Sequence, residues 1–169
     1  RVAILSKNCI QYMEVFYACA RSGLIAQPLN WRLAEPEMAR ILEDGEPLVL
    51  ISSEEYAELA ESLASSTSIP KTLVFTASAD CHYEQLIEAS SEAEPASSAD
   101  VSGDDPVLIL YTGGTTGESK GALHSHHTLY MGMLNQSIAE RIVPTDVYML
   151  TGQMFHIPVA LAMNYMAHG

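Results

Sequence analysis

Residues Tyr111 to Gly121 read Tyr-Thr-Gly-Gly-Thr-Thr-Gly-Glu-Ser-Lys-Gly, and they concentrate the chemistry of this chain in one short segment. Glycines at 113, 114, 117 and 121 let successive backbone N–H groups turn toward a single anion. Hydroxyls at 112, 115, 116 and 119 add donors, and Lys120 brings a point charge. The apolar run Val107-Leu108-Ile109-Leu110 comes just before, so a buried strand delivers the chain into the loop. Such a segment is built to hold phosphate. It is not a Walker loop, which needs Gly-x-x-x-x-Gly-Lys-Ser/Thr. Ser119 stands where the second glycine of that motif should be, and Gly121 stands where the magnesium-binding hydroxyl should be. The following Gly121-Ala122-Leu123-His124-Ser125 reads as a short strand, not as the start of a helix.

Histidines are the other candidates. His156 lies in Met154-Phe155-His156-Ile157, and a lone histidine among apolar residues is either a satisfied core group or a functional one. His124 and His126 would share one face of a strand, the geometry of a ligand pair, with His127 beside them. No cysteine or carboxylate joins them locally, so a structural role is expected for all three and no metal site is assigned.

The 111–121 segment resembles the phosphate loop of the adenylate-forming (AMP-binding) superfamily, which includes acyl-CoA synthetases, peptide-synthetase adenylation domains and luciferases. That loop typically reads Tyr-Thr-Ser-Gly-Thr-Thr-Gly-x-Pro-Lys-Gly; this chain departs at Gly113 and Ser119. Upstream, Pro28-Leu29-Asn30-Trp31-Arg32-Leu33 and Ile41-Leu42-Glu43-Asp44 follow the same family in order. The resemblance implies part of the large N-terminal domain of an acyl-CoA synthetase or acid-CoA ligase. ATP would be bound through Thr112, Gly113, Gly114, Thr115, Thr116, Gly117 and Lys120, with Lys120 also acting in catalysis. His156 would lie beside the acyl pocket, close to the reacting carboxylate. The implied reactants are a fatty or aromatic carboxylic acid, ATP and CoA, with Mg2+ held mainly by residues outside this chain. The later family segments for ribose, magnesium and the mobile domain are not found, so these residues alone are expected to catalyse nothing. Loading of a carrier-protein thiol, or nucleotide binding without chemistry, are the alternatives.

Composition agrees with a folded domain. The 169 residues are 48% apolar and 17% charged. A formal charge of −13 argues against a nucleic-acid surface, which needs clustered cations. No Lys or Arg occurs between Lys71 and Lys120, and no apolar run reaches the roughly 20 residues of a transmembrane segment. Cys9, Cys19 and Cys81 follow no metal spacing, and reduced thiols in a cytoplasmic protein are expected. Oligomeric state is not legible.

Strand-like and helix-like stretches alternate from Val2 to Phe75, the rhythm of an α/β fold with a mostly parallel sheet and crossover helices. Three regions follow: an alternating region over 1–88, an acidic Ala/Ser-rich connector over 89–105, and a phosphate-loop and acyl-site region over 106–169. In detail, Asn8 is expected to cap a helix whose apolar stripe is Ile10, Met13, Phe16, Tyr17 and Ala20. Ser52 with Glu55 is expected to cap another, Val147-Tyr148-Met149-Leu150 reads as a strand, and the methionines from 131 onward read as core.

Overall fold

A computed structural model describes residues 1–93, 95, 100–113 and 119–168. Six strands, β1 (Val2–Leu5), β2 (Ala26–Pro28), β3 (Val49–Ser53), β4 (Lys71–Phe75), β5 (Pro106–Thr112) and β6 (Lys120–Ser125), form one sheet. Their order is β4-β3-β1-β2-β5-β6, all neighbours being parallel except β5 and β6. The expected α/β architecture is thus the observed one. Near-continuous apolar strands suit it, because a parallel sheet is covered on both faces.

Helices α1 (Ile10–Ser22), α4 (His82–Glu88) and α6 (Pro158–Met166) cover one face, while α2 (Glu35–Gly45) and α3 (Ala57–Thr67) cover the other. The period-two alternation of β1 sorts its side chains between two cores. Ile4 joins Tyr12, Phe16 and Phe75, whereas Ala3 and Leu5 join Met38, Leu42 and Leu63. Burying each such large apolar side chain stabilises the fold by about 1.5–3 kcal/mol. The chain leaves β1 for one face and leaves β2 for the other, so the loops at the carboxyl ends of these adjacent strands diverge. A crevice opens there, where open α/β sheets bind ligands.

The remaining helix, α5 (His126–Glu140), follows β6 directly. Ser125 caps it: its Oγ accepts from Thr128 N–H at 3.3 Å, and Thr128 Oγ1 accepts from Ser125 N–H at 2.9 Å. His126 and His127 donate their backbone N–H groups to the Asp105 and Gly103 carbonyls, tying the helix start to residues 103–105.

Several local expectations need correction. The residue at the cap of α1 is Cys9, whose side chain makes no capping bond to the helix, while Asn8 is engaged elsewhere. The buried stripe is Tyr12, Val15, Phe16 and Cys19, and Ile10 is 69% exposed, because the sheet meets the helix about a third of a turn from the expected face. Ser52 lies inside β3, and a 3₁₀ turn (Glu54–Tyr56) precedes α3, so no capping box forms there. Residues 147–150 form no strand: no ladder partner meets them among the described residues, and Val147 is 95% exposed. Met154 is buried and Met163 packs on the core, yet Met131, Met149 and Met166 are exposed.

Candidate active site

The phosphate segment is a hairpin at the carboxyl edge of the sheet. Thr112, the last residue of β5, pairs with Lys120, the first of β6, and both are exposed. Both therefore stand at the end of the sheet where the crevice is. Gly113 stands exposed just beyond the pair, while Gly114, Thr115, Thr116 and Gly117, also expected to contact phosphate, lie outside the described residues.

Tyr111 braces the root of this hairpin. Directly opposite, Gly121 leaves room for its ring: a Cβ on Gly121 would come within 3.1 Å of Tyr111 Cζ and 2.7 Å of Ile109 Cδ1. The phenol donates to Asp44 Oδ2 at 2.5 Å, near the end of α2. Burial, and then this bond to a carboxylate, hold the Tyr111 phenol well above its ordinary pKa, so it remains a donor. The loop is thus tied to α2 as well as to its own sheet. Asp44 gave no sign of this role in the sequence; only the pairing of β2 with β5 brings α2 to the hairpin.

Between α2 and the hairpin lies a cleft of ≈ 420 Å³, continuous through Glu37, Ile41, Tyr111 and Ser119 with a second of ≈ 190 Å³. Phe155 forms part of the second wall, together with Asn30, Gly113 and Ser119. The structure therefore brings the phosphate hairpin and the Phe155 segment to one cleft. His156 itself is exposed and stands outside the walls of both clefts; its N–H donates to the Gln153 carbonyl, and its carbonyl accepts from Val159 N–H.

Further groups converge on this edge from the loops after β1 and β2. Trp31 lies beneath the guanidinium of Arg32 at 4.9 Å and the ammonium of Lys7 at 5.6 Å, and its Nε1–H donates to Gln153 Oε1 at 3.2 Å. Lys7 also pairs with Glu55 at 2.6 Å, and this bond is the main cause that raises its pKa. Asn8 bonds the backbone of residues 152 and 154. Trp31 and Arg32 lie in a segment that follows the family pattern, whereas for Lys7 the signal was position, directly after a strand that ends at the crevice. Lys7, Arg32 and Lys120 stand at this edge, and Arg40 lines the larger cleft together with Glu37, Glu43 and Asp44.

Metal ligands are a different matter. Among the described residues no group of three or more His, Cys, Asp or Glu is placed to hold a metal ion. The three cysteines are free thiols, and no helix among the described residues is long and apolar enough to cross a membrane.

A mostly parallel sheet with crossover helices, and a cleft at its carboxyl edge lined by Gly113, Ser119 and Phe155, defines an α/β domain of the open-sheet class. The chain belongs to the AMP-binding enzyme family, whose model matches residues 1–169. It is 32% identical over 167 residues to the long-chain-fatty-acid–CoA ligase FadD13 of Mycobacterium tuberculosis, covering 99% of this chain and 33% of that protein. It is 34% identical over 158 residues to the indoleacetate–CoA ligase of Aromatoleum aromaticum, covering 92% of this chain and 31% of that one. Among solved structures, the inhibitor-bound N-terminal domain of FACL13 from Mycobacterium tuberculosis superposes with a TM-score of 0.84 at 30% identity, covering 99% of this chain and 41% of that one. The chain thus spans about a third of the length of the curated relatives it matches.

Proposed function

We infer that this chain is the ATP-phosphate and acid-facing part of an AMP-forming acyl-CoA synthetase. One observation carries the reading: in a member of the AMP-binding family, Gly113 and Ser119, which flank the loop between β5 and β6, line one cleft with Phe155 at the carboxyl edge of the sheet. An oxygen of the acid attacks the α-phosphorus of ATP, the bond from that phosphorus to the bridging oxygen breaks, and pyrophosphate leaves. The CoA thiol then attacks the acyl carbonyl, and AMP departs from the thioester.

The task of this chain lies mostly in the first step. Charge accumulates on the departing pyrophosphate, so donors fixed beforehand lower the barrier. Lys120, the hydroxyls of Thr112, Thr115 and Thr116, and the backbone N–H groups of Gly113, Gly114 and Gly117 serve as those donors. The Tyr111–Asp44 bond and the β5–β6 ladder hold the root of the hairpin, which limits reorganisation as charge moves. Phe155 offers an apolar surface to the acid, and His156, exposed just outside that cleft, is assigned to orient the carboxylate once the acid is bound. The CoA-ligase relatives named for a fatty acid and for indoleacetate support an acid with an apolar body. CoA, not a carrier protein, is the acceptor in this reading, and the 169 residues alone give no turnover.

The test is acid-dependent ATP–pyrophosphate exchange by the full-length protein, with a panel of fatty and aryl acids, followed by CoA-dependent release of AMP. Lys120→Ala is expected to lower kcat/KM for adenylation by a factor of about 100 or more, with an unchanged unfolding midpoint, since an exposed loop lysine contributes little to the core. ADP formation without any acid, or unchanged exchange by a folded Lys120→Ala variant, would remove the proposal.

A further inference from the structure

The turn that carries Phe155 and His156 is held by a side chain from the far end of the sequence. We propose that Asn8 is a positioning residue for the acid: its carboxamide sets where the 152–156 turn stands relative to the phosphate hairpin. This rests on the acid-activation reading above and deepens it.

Asn8 Nδ2 donates to the Gly152 carbonyl at 2.7 Å, and Asn8 Oδ1 accepts from Met154 N–H at 2.9 Å. One planar group thereby meets a donor and an acceptor two residues apart, as a neighbouring strand would, which fixes both the height and the register of the turn. The reference frame is firm. Asn8 follows β1, which pairs on both sides with β2 and β3 and has Ala3, Ile4 and Leu5 wholly buried.

The rest of the turn is arranged around this anchor. Trp31 holds Gln153 from the loop after β2, and Met154 is 3% exposed, seated in the core with Tyr12 and Phe16. Gly152 lies so close to the start of α6 that a Cβ there would come within 2.3 Å of the Pro158 ring. Beyond Met154, the next residue is Phe155 in the cleft wall beside Gly113 and Ser119, and then the exposed His156. An asparagine just ahead of a helix ordinarily caps it, yet α1 has no side-chain cap. The carboxamide is committed to the turn at the expense of its own helix.

A positioning role differs from a merely structural one in what it perturbs. If Asn8 sets the acid wall, its loss acts on the acid and leaves ATP alone, because the hairpin is braced separately by Tyr111 and Asp44. In the full-length enzyme, Asn8→Ala is expected to raise KM for the acid about tenfold and to move KM for ATP by less than about twofold, since a displacement of about 1 Å at a reacting group costs up to about a hundredfold. Asn8→Asp keeps the acceptor for Met154 N–H and loses the donor to Gly152, so it should fall between. It also serves as the test if the alanine variant does not fold.

Hydrogen exchange read on a peptide spanning 152–157 supplies a measurement that needs no turnover. Loss of the Asn8 bond should speed exchange there about tenfold, with little change in peptides from β3 or α3. An unchanged acid KM, equal increases in both KM values, or unchanged exchange in this peptide would each overturn the proposal. Pyrophosphate exchange by the wild-type enzyme with no acid would instead overturn the underlying functional reading, and the hydrogen exchange tells that failure apart from a failure of Asn8 to hold the turn.

Discussion

Gly113 and Gly121 bracket the phosphate hairpin and are glycines for opposite reasons. A Cβ on Gly121 would collide with Ile109 and the Tyr111 ring, whereas a Cβ on Gly113 meets no heavy atom of the described residues within 4 Å. The serine that the family usually carries at the Gly113 position therefore has room here. Its hydroxyl would add one donor at the mouth of the loop, and hydrogen bonds to charged groups contribute about 1.5–3 kcal/mol before the entropy of ordering the side chain. In the full-length enzyme, Gly113→Ser is expected to lower KM for ATP about threefold, as part of that contribution is lost to ordering. Steady-state kinetics checks it, with thermal melting showing an unchanged fold. A higher KM would mean that the native loop brings its backbone too close to phosphate for any side chain.

At the scale of elements, α5 is the helix that depends most on local terms. None of its residues is buried, so tertiary packing contributes less to it than to α1 or α2. Its reciprocal cap between Ser125 and Thr128 compensates in part. Ser125→Ala should destabilise the domain by about 1 kcal/mol and lower its helical signal, because N-cap removal leaves helix N–H groups without a partner. Urea unfolding followed by circular dichroism measures both. An unchanged midpoint would show that α5 is held from outside its own sequence. In α1 the sequence pointed to Asn8 as the cap, yet its side chain bonds a turn more than 140 residues away, whereas Ser125, which the sequence did not mark, caps α5.

Over the whole molecule, exposed apolar side chains fall mainly in the last third of the chain. Leu123 is 58% exposed, Tyr130 57%, Ile138 76%, Val147 95% and Met149 78%, and exposed apolar surface favours association. The 169-residue chain prepared alone is expected to bind a hydrophobic dye and to self-associate. Ile138→Asp combined with Val147→Asp should reduce both effects while changing stability by no more than about 0.5 kcal/mol each, the usual range for exposed positions. Dye fluorescence and sedimentation velocity check this; a dye-negative, monomeric wild-type chain would show that this surface is closed by its own side chains.

The strand-helix alternation from Val2 to Phe75 and the phosphate segment after Val107-Leu108-Ile109-Leu110 were legible because each depends on neighbours in sequence: apolar runs, turn glycines and clustered donors. The parallel sheet and the family follow from those local patterns. Which face of a helix is buried does not, as the stripe Tyr12, Val15, Phe16 and Cys19 shows, because all sides of α1 carry apolar residues and only the sheet chooses among them. The stretch 147–150 has strand-forming residues, but a strand exists only with a ladder partner, and pairing is a property of the tertiary fold. The contacts that shape the site are of the same kind: Tyr111 with Asp44, Trp31 with Gln153, and Asn8 with Gly152 and Met154 join residues from 67 to 146 positions apart. A residue's type states what bond it can make; only the assembled sheet, by bringing the ends of β1, β2 and β5 to one edge, decides with whom it is made.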